Sequence, residues 1–171
     1  MRCSKLTENL PDFTPEAAGG PPDAYFAGYF DGEGCISLHK RGPGVMPRIR
    51  ITVKSANLPC LVAMKTRFGG TVILSSPPGP RRKSLYRWRI GSMQDCFAFI
   101  VAVELHSIEK REQLILAREW LEHRSCIPLR GRRFPETYSL ADRIREAISS
   151  QKRLDFYTLA VEEAAGGESV H

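Results

Sequence analysis

The stretch DAYFAGYFDGEG, from Asp23 to Gly34, places small and bulky residues on opposite sides of a predicted helix. The small side consists of Ala24, Ala27, Gly28, Asp31 and Gly32, and the bulky side of Tyr25, Phe26, Tyr29 and Phe30. We expect a helix from Asp23 to Gly32 that buries its bulky side against its own sheet. The small side lets a second backbone approach closely, from the same chain or from another copy. Such a contact would offset the cost of up to ~1 kcal/mol for each helical glycine.

Two carboxylates, Asp31 and Glu33, lie at the C-terminal end of this helix, where the helix dipole disfavours negative charge. A nearby cation would remove the penalty, and the free carbonyl groups of the helix end would offer it further oxygen ligands. A single carboxylate supplies too few ligands for a metal site. If the small side pairs two copies of the helix about a twofold axis, two Glu33 carboxylates come together and can hold one or two divalent ions.

The net charge of +6 conceals a division along the chain. The 60 residues from Cys35 to Gln94 contain no Asp or Glu and twelve Lys or Arg, whereas the remainder of the chain has a net charge of −6. An ordinary solvated surface mixes both signs of charge. A long basic segment without carboxylates therefore indicates a polyanion partner. The excess of 18 Arg over 7 Lys favours bidentate recognition of guanine and phosphate.

Two predicted β-hairpins occupy the basic segment. Their strands are Cys35–Arg41 with Arg48–Lys54, and Thr71–Ser75 with Ser84–Ile90. Further helices are predicted from about Asn57 to Phe68, Met93 to Glu104 and Ile108 to His123, the first of them ending at two glycines that suit a helix C-cap. The order of the elements predicts an α+β fold in which the helices cover one face of an antiparallel sheet.

Period-two alternation assigns the side chains of three strands to faces. The apolar sets are Ile36 and Leu38, then Ile49, Ile51 and Val53, and finally Tyr86, Trp88 and Ile90. Opposite them lie Ser37, His39 and Arg41, then Arg48, Arg50, Thr52 and Lys54, and finally Arg87 and Arg89. One face of the sheet is therefore predicted to be apolar and covered by helices, and the other to be cationic and free of carboxylates.

Several classes of protein are excluded by composition. The longest apolar run, Cys96 to Val103, has eight residues, whereas a membrane span needs about 20. The N-terminus leads into no signal-peptide core. The five cysteines include no C-x-x-C pair, which supports neither a disulfide framework nor a structural zinc site. We expect an intracellular protein of a reducing compartment, such as a bacterial or phage cytoplasm or an organelle.

Four regions are expected along the chain. Residues 1–22 form a flexible N-terminal arm rich in Pro and Gly, and residues 23–125 the main domain. Residues 126–163 follow as C-terminal accessory helices, one of them near Thr137 to Ser149 with Leu140, Ile144 and Ile148 at helical spacing. The basic cluster Arg130, Arg132 and Arg133 precedes that helix, and residues 164–171 are expected to be a disordered tail.

The segment FAGYFDGEG, from Phe26 to Gly34, resembles the nine-residue signature of the LAGLIDADG homing endonucleases. The order of elements from Asp23 to about His123 is similar to the core of that family. The turn FGGT at Phe68 to Thr71 and the strand YRWRI at Tyr86 to Ile90 also resemble family features. The resemblance implies the single-motif, homodimeric type, with an αββαββα core, a saddle-shaped antiparallel sheet and helices on one face.

The resemblance also implies roles for individual residues. Glu33 would bind metal directly, with the backbone carbonyl of Gly32 beside it. Lys110 would assist cleavage, with Arg111 as the alternate. Lys54 or Ser55 would join a water network, although a glutamine seen there in some relatives is absent. The helix from Asp23 to Gly32 would form the dimer interface through its small side, namely Ala24, Ala27, Gly28, Asp31 and Gly32.

The implied activity is site-specific, double-strand cleavage of a long, roughly palindromic DNA site, dependent on Mg²⁺ or another divalent ion such as Mn²⁺. The candidate DNA contacts are Ser37, His39, Arg41, Arg48, Arg50, Thr52, Lys54, Thr71, Ser75, Arg87 and Arg89. The alternative is a nucleic-acid-binding protein of the same fold without cleavage activity, namely an intron maturase, which would bind intron RNA, or a DNA-binding regulator. A third interpretation, a protein-interaction domain, leaves the acid-free segment unexplained.

Overall fold

The computed structural model describes residues 20–39, 45–127, 137 and 139–150. Its elements are α1 (Asp23–Glu33), β1 (Gly34–His39), β2 (Arg48–Ser55), α2 (Leu58–Phe68), β3 (Thr71–Ser76), β4 (Leu85–Ile90), α3 (Met93–Val103) and α4 (Arg111–Ser125). Residues 139–150 are also helical. The predicted α+β class and the predicted order of elements are confirmed.

The four strands form one antiparallel sheet in the order β1-β2-β4-β3. The central pair joins the two hairpins, with Thr52 opposite Arg89 and Lys54 opposite Arg87. The helices pack on one face of this sheet, where Ile51, Val53 and Trp88 are fully buried. The predicted division into a covered apolar face and an open face is confirmed for β1, β2 and β4.

An aromatic cluster at the centre of the core joins the helices to the sheet. Phe99 of α3 contacts Phe30 of α1, Phe68 of α2 and Trp88 of β4, with ring centroids 5.1, 5.0 and 5.4 Å apart. Burying aromatic side chains of this size contributes roughly 1.5–3 kcal/mol each. Ile144 and Ile148 of the 139–150 helix belong to the same core.

The turn between α2 and β3 is set by two glycines. Gly69 and Gly70 have φ values of 74° and 84°, which disfavour any residue with a side chain. At Gly70 a Cβ atom would also lie 2.5 Å from the carbonyl oxygen of Arg89. The indole of Trp88 donates a hydrogen bond of 2.9 Å to the Gly69 carbonyl. The turn thus fixes β3 against β4.

Several boundaries differ from the predicted ones by one to three residues. Helix α1 includes Glu33, and α3 ends at Val103. Helix α2 begins at Leu58 because the Asn57 side chain caps it by accepting the N–H of Cys60 at 3.3 Å. The largest difference is in α4, which begins at Arg111 and not at Ile108.

Some predictions fall outside the described residues. They concern Arg41 and the turn after it, residues 1–19 of the N-terminal arm, the cluster at Arg130, Arg132 and Arg133, and the tail at 164–171. Within the described ranges, none of the helices has the length and apolar character that crossing a membrane requires.

Candidate nucleic-acid interface

The open face of the sheet carries most of the predicted DNA contacts in cross-strand rows. Thr52, Arg89 and Thr71 are paired side by side across β2, β4 and β3. On β1 and β2, Ser37 lies opposite Arg50 and His39 opposite Arg48. The side chains of this face are exposed or half-buried. The sheet therefore brings together ten of the eleven predicted contacts, and Arg41 lies outside the described residues.

Arg87 is the most constrained cation of the open face. Its Nη2 atom donates a hydrogen bond of 3.1 Å to Ser75 Oγ on the neighbouring strand. Its Nε atom is buried and has no hydrogen-bond partner among the described residues. The guanidinium is thus anchored to β3 through Ser75.

The open face also contains two residues that were not predicted as contacts, Cys35 and Ile73. Cys35 is exposed and paired with Thr52, and Ile73 is 45% exposed and paired with Arg87. The hydrophobic pattern alone does not assign Ile73, since it lies in a continuous apolar run from Val72 to Leu74, although alternation puts it on the face of the predicted contacts Thr71 and Ser75. Its pairing with Arg87 is what places it on the open face.

A groove continues the open face toward the start of α3. The strands contribute His39, Arg48, Arg50 and Arg89, and the loop before α3 contributes Gly91 and Ser92. Asp95, the first carboxylate after the acid-free segment, lies in the same groove. The four strands of the acid-free segment therefore form the open face, with Asp95 at its rim, whereas α2 of the same segment packs on the covered face.

Glu33 occupies the last position of α1, directly before β1, and is exposed. Its carboxylate accepts no hydrogen bond from another described residue, and Gly32 beside it is also exposed. The negative charge of Glu33 therefore lies at the C-terminal end of α1, which the helix dipole disfavours, and no described residue forms an ion pair or hydrogen bond with it. Such a carboxylate is available to a cation.

Asp31 has a different environment from Glu33, since it is only 8% exposed. Its carboxylate accepts hydrogen bonds from Ser107 Oγ at 2.5 Å and from the backbone N–H groups of Ile108, Glu109 and Lys110 at 2.7, 3.4 and 3.2 Å. These donors precede α4, whose own N-cap residue makes no side-chain cap. Asp31 therefore caps α4 from a distant helix, which explains why α4 starts three residues late.

Lys110 lies at the junction of α1 and α4. Its backbone N–H binds the Asp31 carboxylate, and its ammonium group donates a hydrogen bond to the Asp31 carbonyl oxygen. The positive charge is thus fixed at the C-terminal end of α1, the end that carries Glu33. The predicted helix from Ile108 would place Lys110 in its first turn. In the structure Lys110 is instead the N-cap residue of α4.

The predicted dimer surface of α1 needs a correction. Ala27 is fully buried and Asp31 nearly so, because both face the interior of their own chain. The exposed strip consists of Ala24, Gly28 and Gly32, with Tyr25 at 45% exposure beside it. A Cβ atom at Gly28 or Gly32 would meet nothing within 4 Å. The cap that Asp31 provides to α4 turns that side of the helix inward.

A hydroxyl network joins α1 to the end of β2. Tyr29 donates a hydrogen bond of 2.5 Å to Ser55 Oγ, which also accepts the N–H of Asn57 at 3.0 Å. Burial raises the pKa of the Tyr29 phenol and of the nearby Cys60 thiol, so both stay protonated at neutral pH. Ser55 is therefore fixed next to α1, whereas Lys54 lies on the open face.

The donor set for a divalent ion in one chain is small. Among the described residues, no group of three or more His, Cys, Asp or Glu side chains could hold a metal ion. The exposed Glu33 carboxylate and the carbonyl groups at the end of α1 are hard oxygen donors, which suit Mg²⁺. Within the described part of one chain, Glu33 thus has no further His, Cys, Asp or Glu side chains with which to form such a group.

Solved structures with this arrangement of helices and strands include several homing endonucleases. I-CvuI, solved in complex with DNA, matches with a TM-score of 0.59 at 17% identity, over 75% of this chain and 80% of that chain. I-SmaMI, bound to an uncleaved DNA target with calcium ions, matches at 0.54 and 22% identity, over 77% of this chain and 44% of that chain. The LAGLIDADG meganuclease I-AabMI matches with a TM-score of 0.52 at 15% identity, over 61% of this chain and 37% of that chain.

The sequence alone leads to no match, either with a protein-family model or with a curated protein. The match to I-CvuI extends over three quarters of this chain. The chain has the fold of the LAGLIDADG homing endonucleases.

Proposed function

We propose that this chain is a site-specific DNA endonuclease that acts as a homodimer with a divalent metal ion. The observation that carries the proposal is the open face of the sheet, which collects cationic side chains without a carboxylate and ends beside the exposed Glu33. Neighbours of the same fold were solved on DNA. Both the binding surface and the reacting group would thus lie on one side of the fold.

The open face would lie in the major groove of duplex DNA. The groove is about 12 Å wide and admits a β-ribbon, and arginine can bind guanine O6 and N7 together. Arg50, Arg87 and Arg89 lie on the two central strands and are candidates for base contacts. His39 and Arg48, at the far end of the first hairpin, would contact bases or phosphates farther from Glu33.

A second copy would pack against the exposed strip of α1. Ala24, Gly28 and Gly32 leave the helix backbone open to close approach, and Tyr25 adds apolar surface beside them. The chain spans 44% of I-SmaMI and 80% of an I-CvuI chain, so the longer relative has room for two such units where this chain has one. Pairing about a twofold axis would place both Glu33 carboxylates near the axis.

Glu33 and the carbonyl oxygen of Gly32 would hold the metal ion. A bound divalent ion lowers the pKa of water and stabilises charge on phosphate oxygens. Lys110 would add a fixed positive charge near the same phosphate, since its ammonium group is held at the end of α1. Because no nucleophilic side chain is required, the chain's own task is to position DNA and concentrate charge at one bond.

Replacing Lys110 by methionine should slow cleavage of a bound duplex about 10- to 100-fold, because a fixed charge beside the phosphate is lost. Affinity should change by less than about threefold, since the residue lies off the open face. Single-turnover cleavage and equilibrium binding separate the two effects. The matched control is Arg111→Met, one residue further along in an exposed position. If Arg111→Met slows the reaction and Lys110→Met does not, the role belongs to Arg111.

Replacing Gly28 by leucine should prevent dimer formation while leaving the fold of one chain intact. A Cβ atom at this exposed position meets nothing within 4 Å, and the substitution removes a helical glycine, which stabilises the helix by up to ~1 kcal/mol. Sedimentation equilibrium should therefore show a folded monomer. Thr66→Leu, which adds the same side chain at an exposed position of α2, should remain dimeric. A wild-type protein that is monomeric both free and on DNA would exclude the twofold arrangement.

A nucleic-acid-binding protein without cleavage activity is the second candidate, because the open face suits DNA or intron RNA equally well in that role. The exposed Glu33 favours the enzyme, since a carboxylate close to phosphate weakens binding unless a cation lies between them. The two candidates differ in one outcome, hydrolysis in the presence of magnesium.

Binding of duplex DNA over a series of salt concentrations tests the role of the open face. The logarithm of the binding constant should fall by about 0.9 for each phosphate neutralised per unit of log salt, and we expect a slope steeper than about −5 for a dimer. Fluorescence anisotropy measures it, with the Glu33→Gln protein used to avoid cleavage. A slope near zero would rule out binding through the cationic face.

A further inference from the structure

Ile73 is an apolar side chain on an otherwise polar and cationic surface. It is 45% exposed on β3, an edge strand of the sheet, and it pairs with Arg87. Thr71 and Arg89 occupy the next row of the same face. An exposed isoleucine contributes little to the core of its own chain, so its exposed surface is available to a ligand.

Arg87 and Ser75 hold the surroundings of Ile73 in place. The hydrogen bond of 3.1 Å from Arg87 to Ser75 passes along β3 next to Ile73. Because the guanidinium is anchored and Arg87 is the cross-strand partner of Ile73, a cationic group and an apolar side chain are neighbours on the open face. Such a surface can contact a hydrogen-bonding group and an apolar group side by side.

We infer that Ile73 contacts the 5-methyl group of a thymine next to a base pair read by Arg87. This inference rests on the proposed DNA-binding function of the open face. The thymine methyl is the apolar group that an unmodified base presents in the major groove, whereas guanine presents the acceptors that arginine binds. Ile73 would therefore determine specificity at one position of each half-site, next to the position that Arg87 reads.

The alternative ligand for the surface around Ile73 is a protein that packs on β3. Leu74, 54% exposed on the opposite side of β3, would belong to such a contact. The cations around Ile73 favour DNA over an apolar protein surface, since burying Arg87 and Arg89 against apolar groups would be costly. The adjacent Leu74 consequently serves as the matched control.

The experiment begins with selection of bound duplexes from a randomised library by the wild-type protein in calcium buffer. Each thymine of the selected site is then replaced by deoxyuridine, which removes only the methyl group. For the wild type, one thymine in each half-site should lose about fourfold in affinity on this replacement, the amount expected for one buried methyl group. In Ile73→Ala the same replacement should have no effect, and Leu74→Ala should behave like the wild type.

The outcomes separate this inference from the proposed function. If specific duplexes are selected but the uracil effects are the same in Ile73→Ala and the wild type, the role of Ile73 is excluded while DNA binding stands. If Leu74→Ala also removes the uracil effect, the strand as a whole and not Ile73 is responsible, which overturns the assignment. If no duplex is enriched, the proposed DNA-binding function and this inference both fail.

Discussion

A Glu33→Gln variant is expected to bind its target duplex with an affinity within about threefold of the wild type and to lose cleavage by at least ~1000-fold. The amide has nearly the shape of the carboxylate but no charge, and it is a weak ligand for Mg²⁺. The stabilisation that a metal ion supplies to the reacting phosphate, several kcal/mol, would be lost with it. Cleavage of a selected duplex with magnesium, followed over hours, measures the effect.

Glu109→Gln is the matched control for the loss of one negative charge near α1. Glu109 is exposed in the loop before α4, and its backbone N–H, not its side chain, binds Asp31. This variant should cut at nearly the wild-type rate. A Glu33→Gln protein that still cuts at a comparable rate with magnesium would show that Glu33 does not hold the metal ion.

Replacing Asp31 by alanine should lower the free energy of unfolding by about 3 kcal/mol. The carboxylate accepts four hydrogen bonds and is nearly buried, so its removal leaves the Ser107 hydroxyl and the N–H groups before α4 without an acceptor. An unsatisfied buried donor costs about 1–3 kcal/mol, and the loss of a helix cap about 1 kcal/mol. In thermal unfolding the midpoint should fall by roughly 6–12 °C.

The control for Asp31→Ala is Asp142→Ala. Asp142 is about half exposed and pairs with Arg145 one helical turn away, so its loss should cost less than about 0.5 kcal/mol. Equal effects of the two substitutions would contradict the capping role of Asp31. The two carboxylates of the motif should also differ in their effect on stability. Asp31→Ala lowers the unfolding midpoint, whereas Glu33→Gln should leave it nearly unchanged.

The face of each strand could be predicted where polar and apolar residues alternate. Ile49, Ile51 and Val53 are buried in β2 as the period of two requires. In β3 the run Val72-Ile73-Leu74 gives no such signal, and the register with Arg87 decides that Ile73 is on the open face. Alternation from the predicted contacts Thr71 and Ser75 puts Ile73 on their face, and the pairing of β3 with β4 shows that this is the open face.

The orientation of α1 was predicted only in part. The helical wheel separated small from bulky residues correctly, but Ala27 is buried and Tyr25 is exposed. The interaction that sets the rotation joins Asp31 to residues about 77 positions along the chain. Hydrophobic periodicity measures side-chain size and polarity around a helix and carries no information about such a long-range cap.

The resemblance to a family implied that Lys110 assists cleavage, and the structure holds this residue at the C-terminal end of α1. Asp31 binds the backbone of Lys110 with its carboxylate, and its own carbonyl accepts the lysine ammonium group. One residue of the motif therefore joins the N-terminus of α4 to the C-terminus of α1. Perturbing Asp31 should consequently displace Lys110 as well as destabilise the fold.

Cleavage of a randomised duplex library by the wild-type protein with magnesium measures the proposed activity most directly. The ends of the cut molecules are sequenced and compared with those from a reaction containing a chelator. We expect discrete cut sites with approximate twofold symmetry, cleaved on both strands, and no cleavage in the chelator. A protein that enriches specific duplexes but leaves them intact with magnesium and with manganese would contradict the endonuclease and establish the binding protein in its place.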